Sequence, residues 1–146
     1  METPADIERL RKKRQCNVQE QNRLVEYGLR TEAIYWREHA LPKALHDEGL
    51  ARGIDWDNSI ILDLDIDFPG MPSLFGLFLS QNETFIRFEI DTDEKHENVL
   101  AVEEWTDWTS KQNMNTHNRG TGMGWGAQAI LIRRELCARP AGKESL

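Results

Sequence analysis

Three aspartates at alternate positions, Asp63, Asp65 and Asp67, have a spacing that could support chemistry. They fall in a segment where apolar and acidic residues alternate, which is the pattern of a half-buried strand. On such a strand the three carboxylates lie on one face at intervals of about 6.6 Å. Aspartates in this arrangement can hold Mg²⁺ or Mn²⁺ in nucleotide- and sugar-transferring enzymes, so a divalent-metal site is one interpretation. We favour the other interpretation, an exposed acidic strand face that discourages pairing at a sheet edge.

The segment at residues 119–124, Arg-Gly-Thr-Gly-Met-Gly, has the composition of an anion-binding loop. It directly precedes a predicted helix, and backbone amides at a helix N-terminus can bind an anion. The spacing of Arg119, Gly122 and Gly124 resembles the pyrophosphate-binding loop of the acetyl-coenzyme A-dependent N-acetyltransferases. That resemblance implies an acyltransferase. The strands that this family needs on both sides of its loop are not predicted here, so we expect a loop whose glycines serve tight turns, and no cofactor.

The histidines and cysteines do not have the spacing of a metal site or a catalytic triad. The two cysteines, Cys16 and Cys137, cannot form a disulfide framework, so we expect a cytoplasmic protein. The N-terminus lacks the apolar region of a secretion signal, and no window approaches 18 apolar residues. The sequence therefore predicts that the chain does not contact a membrane.

The charge of the chain is concentrated in its middle third. The 146 residues carry a net charge of −7; residues 54–110 contribute −12, residues 1–53 contribute +1 and residues 111–146 contribute +4. Repulsion from phosphate makes nucleic acid an unsuitable partner for such a protein. A carboxylate-rich surface steers a basic protein, and tryptophans are favoured at the centres of protein interfaces.

We therefore predict a partner-binding site formed by the acidic and aromatic side chains of this middle segment. Its predicted members are Asp63, Asp65, Asp67, Glu89, Asp91, Glu103, Glu104, Trp105, Asp107 and Trp108. The alternative for Trp105 and Trp108 is that they cap the hydrophobic core.

The first third of the chain is predicted to be helical. Thr3, Pro4 and Asp6 have the types expected at the N-cap, first and third positions of a helix. Gly28 is expected to end that helix, and Thr31 to begin a second one. A third short helix is expected between Pro42 and Gly53.

The pattern then changes to that of strands: residues 59–68 and 84–91 alternate with a two-residue period. Residues 74–79 read as a fully apolar strand, and residues 99–105 as a fourth strand. Short links favour an antiparallel meander. The predicted core residues of these strands are Ile60, Leu62, Leu64, Ile66, Ile86, Phe88 and Ile90. We expect one α+β domain: residues 1–53 helical, 54–105 antiparallel sheet, 106–126 loop and 127–139 helix, with the helices on one sheet face.

In size, charge and layout the chain resembles the immunity proteins of bacterial polymorphic toxin systems. That resemblance implies a cytoplasmic inhibitor, not an enzyme, that binds a cognate toxin domain, commonly a basic nuclease. Small phage proteins that block a host enzyme have the same profile. The competing classes are an enzyme that uses the glycine-rich loop or the three aspartates, and a structural or assembly protein.

Overall fold

Four α-helices and four strands form the part of the chain that the computed structural model describes, residues 3–68, 72–109 and 124–138. In chain order they are α1 (Pro4–Lys12), α2 (Val18–Glu38), α3 (Lys43–Ala51), a short 3₁₀ helix (Trp56–Asn58), β1 (Ile60–Asp67), β2 (Ser73–Leu79), β3 (Phe85–Thr92), β4 (Val99–Asp107) and α4 (Trp125–Cys137). The predicted α+β fold is confirmed. Among these described helices, none is long and apolar enough to cross a membrane.

The N-terminal helices begin at two capping boxes. Thr3 caps α1 as predicted: its hydroxyl accepts a hydrogen bond from the Asp6 amide, and the Asp6 carboxylate accepts one from the Thr3 amide. Asn17 and Glu20 form the same reciprocal pair at the start of α2. The expected helix end at Gly28 is wrong. The break comes at residues 13–17, because the Asn17 cap starts a new helix, and α2 continues through Gly28, where a glycine costs only about 1 kcal/mol.

The strands form one antiparallel sheet in the order β1-β2-β3-β4, which confirms the predicted meander. A register shift lies between Ile61 and Asp63, where β1 gains one residue relative to β2. This bulge reverses the side-chain alternation that the sequence predicts for β1. Ile60 and Leu62 consequently pack in one core cluster, whereas Leu64 packs in a second one.

The two core clusters lie on opposite faces of the sheet, because they contain sequence neighbours such as Phe78 and Leu79. Residues of α2 and α4 pack in the cluster with Leu79, whereas Ala44 and Leu45 of α3 pack in the cluster with Phe78. The expectation of helices on one sheet face therefore needs correction. A sheet with apolar residues on both faces needs cover on both.

The predicted strand core is confirmed except at one residue. Ile60, Leu62, Leu64, Ile86, Phe88 and Ile90 are buried. Ile66 is 43% exposed, because it lies near the end of β1, which the helices do not cover. Helix α4 begins at Trp125, two residues before the expected position, and residues 110–123 of the expected loop lie outside the described ranges.

Candidate functional site

An exposed, strongly acidic area occupies part of one face of the sheet. Residues opposite each other on neighbouring strands share a face, so the strand register identifies its members. One row across the sheet runs from Asp65 through Phe75 and Glu89 to Glu104, and the adjacent row joins Asp67, Ser73 and Asp91. We call this area the acidic face; its carboxylates are Asp63, Asp65, Asp67, Glu89, Asp91 and Glu104.

The acidic face begins where the helical cover ends. Asp63 lies opposite Leu77, and Leu77 packs at the margin of the core cluster beneath α2 and α4. Beyond this row Asp65, Asp67 and Glu89 are exposed. The strand register also places Glu89 and Asp91 on the same face as the three aspartates.

The acidic face has an excess of negative charge at its sheet positions. Its single cation there is Arg87, which donates from Nε to Glu104 Oε1 at 3.3 Å. Ser73 Oγ donates to Asp91 Oδ1 at 3.1 Å, which fixes that carboxylate against the sheet. Partial burial, and then the charge of Asp65, raise the pKa of Asp63 above its ordinary value of 3.8. Asp63 and Asp65 are thus close enough to repel each other.

Phe75 is the functional candidate that the sequence analysis missed. It is half-buried and lies in the middle of the acidic face, between Asp65 on β1 and Glu89 on β3. Residues directly opposite in antiparallel strands have their Cβ atoms about 5 Å apart, so two carboxylates flank the phenyl ring. The apolar run of β2 gave no signal for which of its residues points outward. Only the register against β1 and β3 identifies Phe75.

The aromatic residues predicted as anchors lie elsewhere. Trp105 is on the opposite face, where its ring centroid is 5.6 Å from that of Phe78, and the Arg52 guanidinium lies 4.7 Å above it. Trp108 packs against the core cluster beneath α4, with the Arg87 guanidinium 5.5 Å from its ring. Asp107, opposite Ile86, is also directed away from the acidic face, and Glu103 is exposed at the bulge of β4. These tryptophans serve mainly as core caps.

The described residues bear on only one of the two enzyme alternatives, the metal site. Within residues 3–68, 72–109 and 124–138, no group of three or more histidine, cysteine, aspartate or glutamate side chains is arranged to hold a metal ion. Asp63, Asp65 and Asp67 follow one another along a strand, so their carboxylates do not converge on a point. Of the glycine-rich loop, only Gly124 is described; it is the N-cap residue of α4.

Comparisons of the chain with protein-family models, with curated proteins and with solved structures each found no match. What the acidic face can do therefore follows from its own groups. Six carboxylates around a half-buried phenyl ring can attract cationic side chains and provide an apolar contact at their centre.

Proposed function

We propose that this protein is an inhibitory binding protein, whose acidic face binds a basic domain of a partner protein. The observation that carries the proposal is the juxtaposition of six carboxylates with one cation around Phe75, on a part of the sheet that the described helices do not cover. Charged residues at the rim of an interface mainly accelerate association, and a buried aromatic residue at its centre mainly slows dissociation. The acidic face contains both kinds of residue.

The finer proposal is that the protein is an immunity protein that neutralises a toxin domain in the cytoplasm. Two features support this proposal. The chain resembles known immunity proteins in size, charge and layout, and its acidic face is complementary in charge to a nuclease. A nuclease surface that binds phosphate is rich in lysine and arginine, and a cluster of carboxylates is complementary to it. Cys16 and Cys137 are both free thiols, which fits a compartment where thiols remain reduced.

The proposal is tested by site-specific photo-crosslinking in the cells that make the protein. A photoreactive phenylalanine analogue replaces Phe75, and a matched variant carries it at Tyr35, an exposed aromatic position on α2 that is not part of the acidic face. We expect the variant at position 75 to capture one protein with a basic domain, and the variant at position 35 not to capture it. The capture should disappear when Asp65→Asn and Glu89→Gln are added.

Two outcomes would contradict the proposal. One is that no basic protein is captured at position 75. The other is that the same protein is captured equally at position 35, or survives the removal of both carboxylates, which would make the acidic face a solubility feature only.

A further inference from the structure

A large cavity lies outside the acidic face, where the C-terminal end of α2, the start of α3 and the 3₁₀ helix meet. Its volume is about 840 Å³, and none of the six carboxylates of the acidic face lines it. Binding sites for small molecules have volumes of about 300–1,000 Å³ and combine apolar walls with a few polar groups. The size and the mixed lining of this cavity therefore suit a small organic ligand.

Two tryptophans and two aliphatic residues give the cavity its apolar surface: Trp36, Leu41, Trp56 and Ile61. Each indole N–H is already bonded within the protein: Trp36 Nε1 donates to Glu32 Oε2 at 2.7 Å, and Trp56 Nε1 donates to the His46 carbonyl at 3.0 Å. These bonds fix the indoles in place. A ligand can therefore contact the surfaces of the two indole rings, and such surfaces favour a planar aromatic ligand.

Gly49 sets the position of one of these rings. A Cβ atom at Gly49 would lie 2.3 Å from Cζ2 of Trp56, so only glycine lets the indole lie against α3. The Trp56 ring also packs against Phe78 of the core, with 4.9 Å between the ring centroids. The wall is therefore held by backbone and core contacts and does not depend on a ligand for its shape.

Arg37 is the cation of the cavity that a ligand could bind. Its side chain is half-buried, and Nη1 donates to the Asp57 carbonyl at 3.3 Å and to Cys137 Sγ at 3.4 Å. Across the described ranges no carboxylate lies within ion-pair distance of this guanidinium, although the other cation of the cavity, Lys43, is paired with Asp47 at 2.5 Å. Arginine is rarely buried without a counter-charge, and its planar fork matches a carboxylate or phosphate. Arg37 can therefore bind an anionic group that enters the cavity.

The carboxylates of the lining limit the charge that the ligand can carry. Asp55 and Asp57 also line the cavity and would repel a doubly charged phosphate. A singly charged carboxylate is repelled less by them and can still form a bidentate pair with the Arg37 guanidinium. We propose that this cavity binds a small planar aromatic carboxylate, with its ring against Trp36 and Trp56 and its carboxylate on Arg37.

The test is a titration of the full chain with naphthalene-2-carboxylate, followed by the indole N–H signals in proton–nitrogen NMR spectra. We expect saturable shifts of the Trp36 and Trp56 signals, with the Trp105 signal unchanged. The neutral naphthalene-2-carboxamide should bind at least about tenfold more weakly, because it lacks the charge-assisted hydrogen bond. Inorganic phosphate should also bind at least about tenfold more weakly, because it has no ring to contact Trp36 and Trp56 and because Asp55 and Asp57 repel its second charge.

Arg37→Gln should weaken binding of the carboxylate at least about tenfold and leave binding of the carboxamide unchanged, which also shows that the cavity still forms. Lys43→Gln, at the other cation of the cavity, is the matched control and should bind the carboxylate within about twofold of the unaltered protein. The proposal is overturned if the carboxylate causes no saturable shift, if the carboxamide binds equally well, or if Arg37→Gln binds the carboxylate as tightly as Lys43→Gln does.

Discussion

Gly76 lies against the backbone of Asp63: a Cβ atom at Gly76 would come within 2.0 Å of the Asp63 carbonyl oxygen. The contact occurs beside the register shift of β1, between Ile61 and Asp63. This shift places Asp63 and Asp65 on the same face as Phe75. The close approach of these two strands is therefore part of what forms the acidic face.

Gly76→Ala is expected to destabilise the protein, because the clash is with backbone that no side-chain rotation can relieve. Overpacking of this kind costs about 1–3 kcal/mol. The control is Gly28→Ala in α2, where no heavy atom lies within 4 Å of the added Cβ, and which should stabilise by about 0.5–1 kcal/mol. Chemical denaturation measures both, and equal midpoints for the two variants would refute the explanation.

Leu64→Ala should lower the free energy of unfolding by about 2–5 kcal/mol, because Leu64 is buried in the cluster of the face opposite the acidic face. Ile66→Ala, two residues further along β1 and 43% exposed, should lower it by about 0.5–1 kcal/mol. The difference between the two denaturant midpoints is the measurement. A Leu64→Ala midpoint equal to that of the unaltered protein would exclude the core position of this residue.

The sequence predicted those helices and strands that are determined by residues close together in the chain. The Thr3 cap, the short helix after Pro42 and the period-two strands all follow from residues close together in the chain. The predicted helix end at Gly28 was wrong, because a glycine penalty of about 1 kcal/mol does not terminate α2, which packs along β1. The Asn17 cap that does start α2 follows a familiar pattern, with Glu20 three residues later.

The sequence predicted the carboxylates of the acidic face, but it did not predict its aromatic residue, Phe75. The alternating aspartates stand on one face, as the two-residue period requires. Phe75 lies in the run Ser73–Leu79, in which five of seven residues are apolar and large, so periodicity does not distinguish its two faces. The bulge at Ile61 has no local sequence signature either, because it is set by the pairing of β1 with β2.

Asp63→Asn should increase stability at pH 7. Burial, and then the charge of Asp65, raise the pKa of Asp63, so the folded state binds this proton more tightly than the unfolded state does. Stability is consequently lost as the pH rises from 3.8, the ordinary value, through the folded pKa. Replacing Asp63 with asparagine removes the titrating carboxyl group and therefore this loss of stability. Since Asp63 is partly exposed, the gain should be a few tenths of a kcal/mol, about the scale of surface charge effects.

The measurement for Asp63 is a series of denaturation midpoints between pH 3 and pH 8. The unaltered protein and Asp63→Asn should converge at the acidic end and separate as the pH rises. Asp67→Asn, at the exposed end of the same strand, is the control and should show a smaller separation. A constant difference at every pH would contradict the argument.

Glu83→Gln should have the opposite dependence on pH. Hydrogen bonds from Arg134, with Nε at 2.7 Å, and from Arg133 lower the pKa of the Glu83 carboxyl. This ion pair contributes stability above pH 4.5, the ordinary value, and the contribution is lost as the pH falls through the folded pKa. At pH 7 the variant should lose about 0.5–1 kcal/mol, since the pair is partly solvated.

The measurement for Glu83 is the thermal unfolding temperature of Glu83→Gln at pH 7 and at pH 3. The control is Glu94→Gln, because Glu94 is an exposed glutamate in the turn before β4. The loss should be specific to Glu83, present at pH 7, smaller at pH 3 and smaller in high salt. Equal unfolding temperatures for the two variants at pH 7 would show that this ion pair does not hold α4 to the β2–β3 turn.

The most direct test of the acidic face is the association rate constant with the purified partner captured at position 75. Asp65→Asn/Glu89→Gln should slow association about tenfold or more at low salt, with the difference shrinking at high salt. Glu38→Gln/Glu94→Gln, which removes the same charge from exposed positions off the acidic face, should associate at nearly the original rate. Phe75→Ala should mainly accelerate dissociation. Equal association rates for the two double variants would contradict the claim that the acidic face guides the partner.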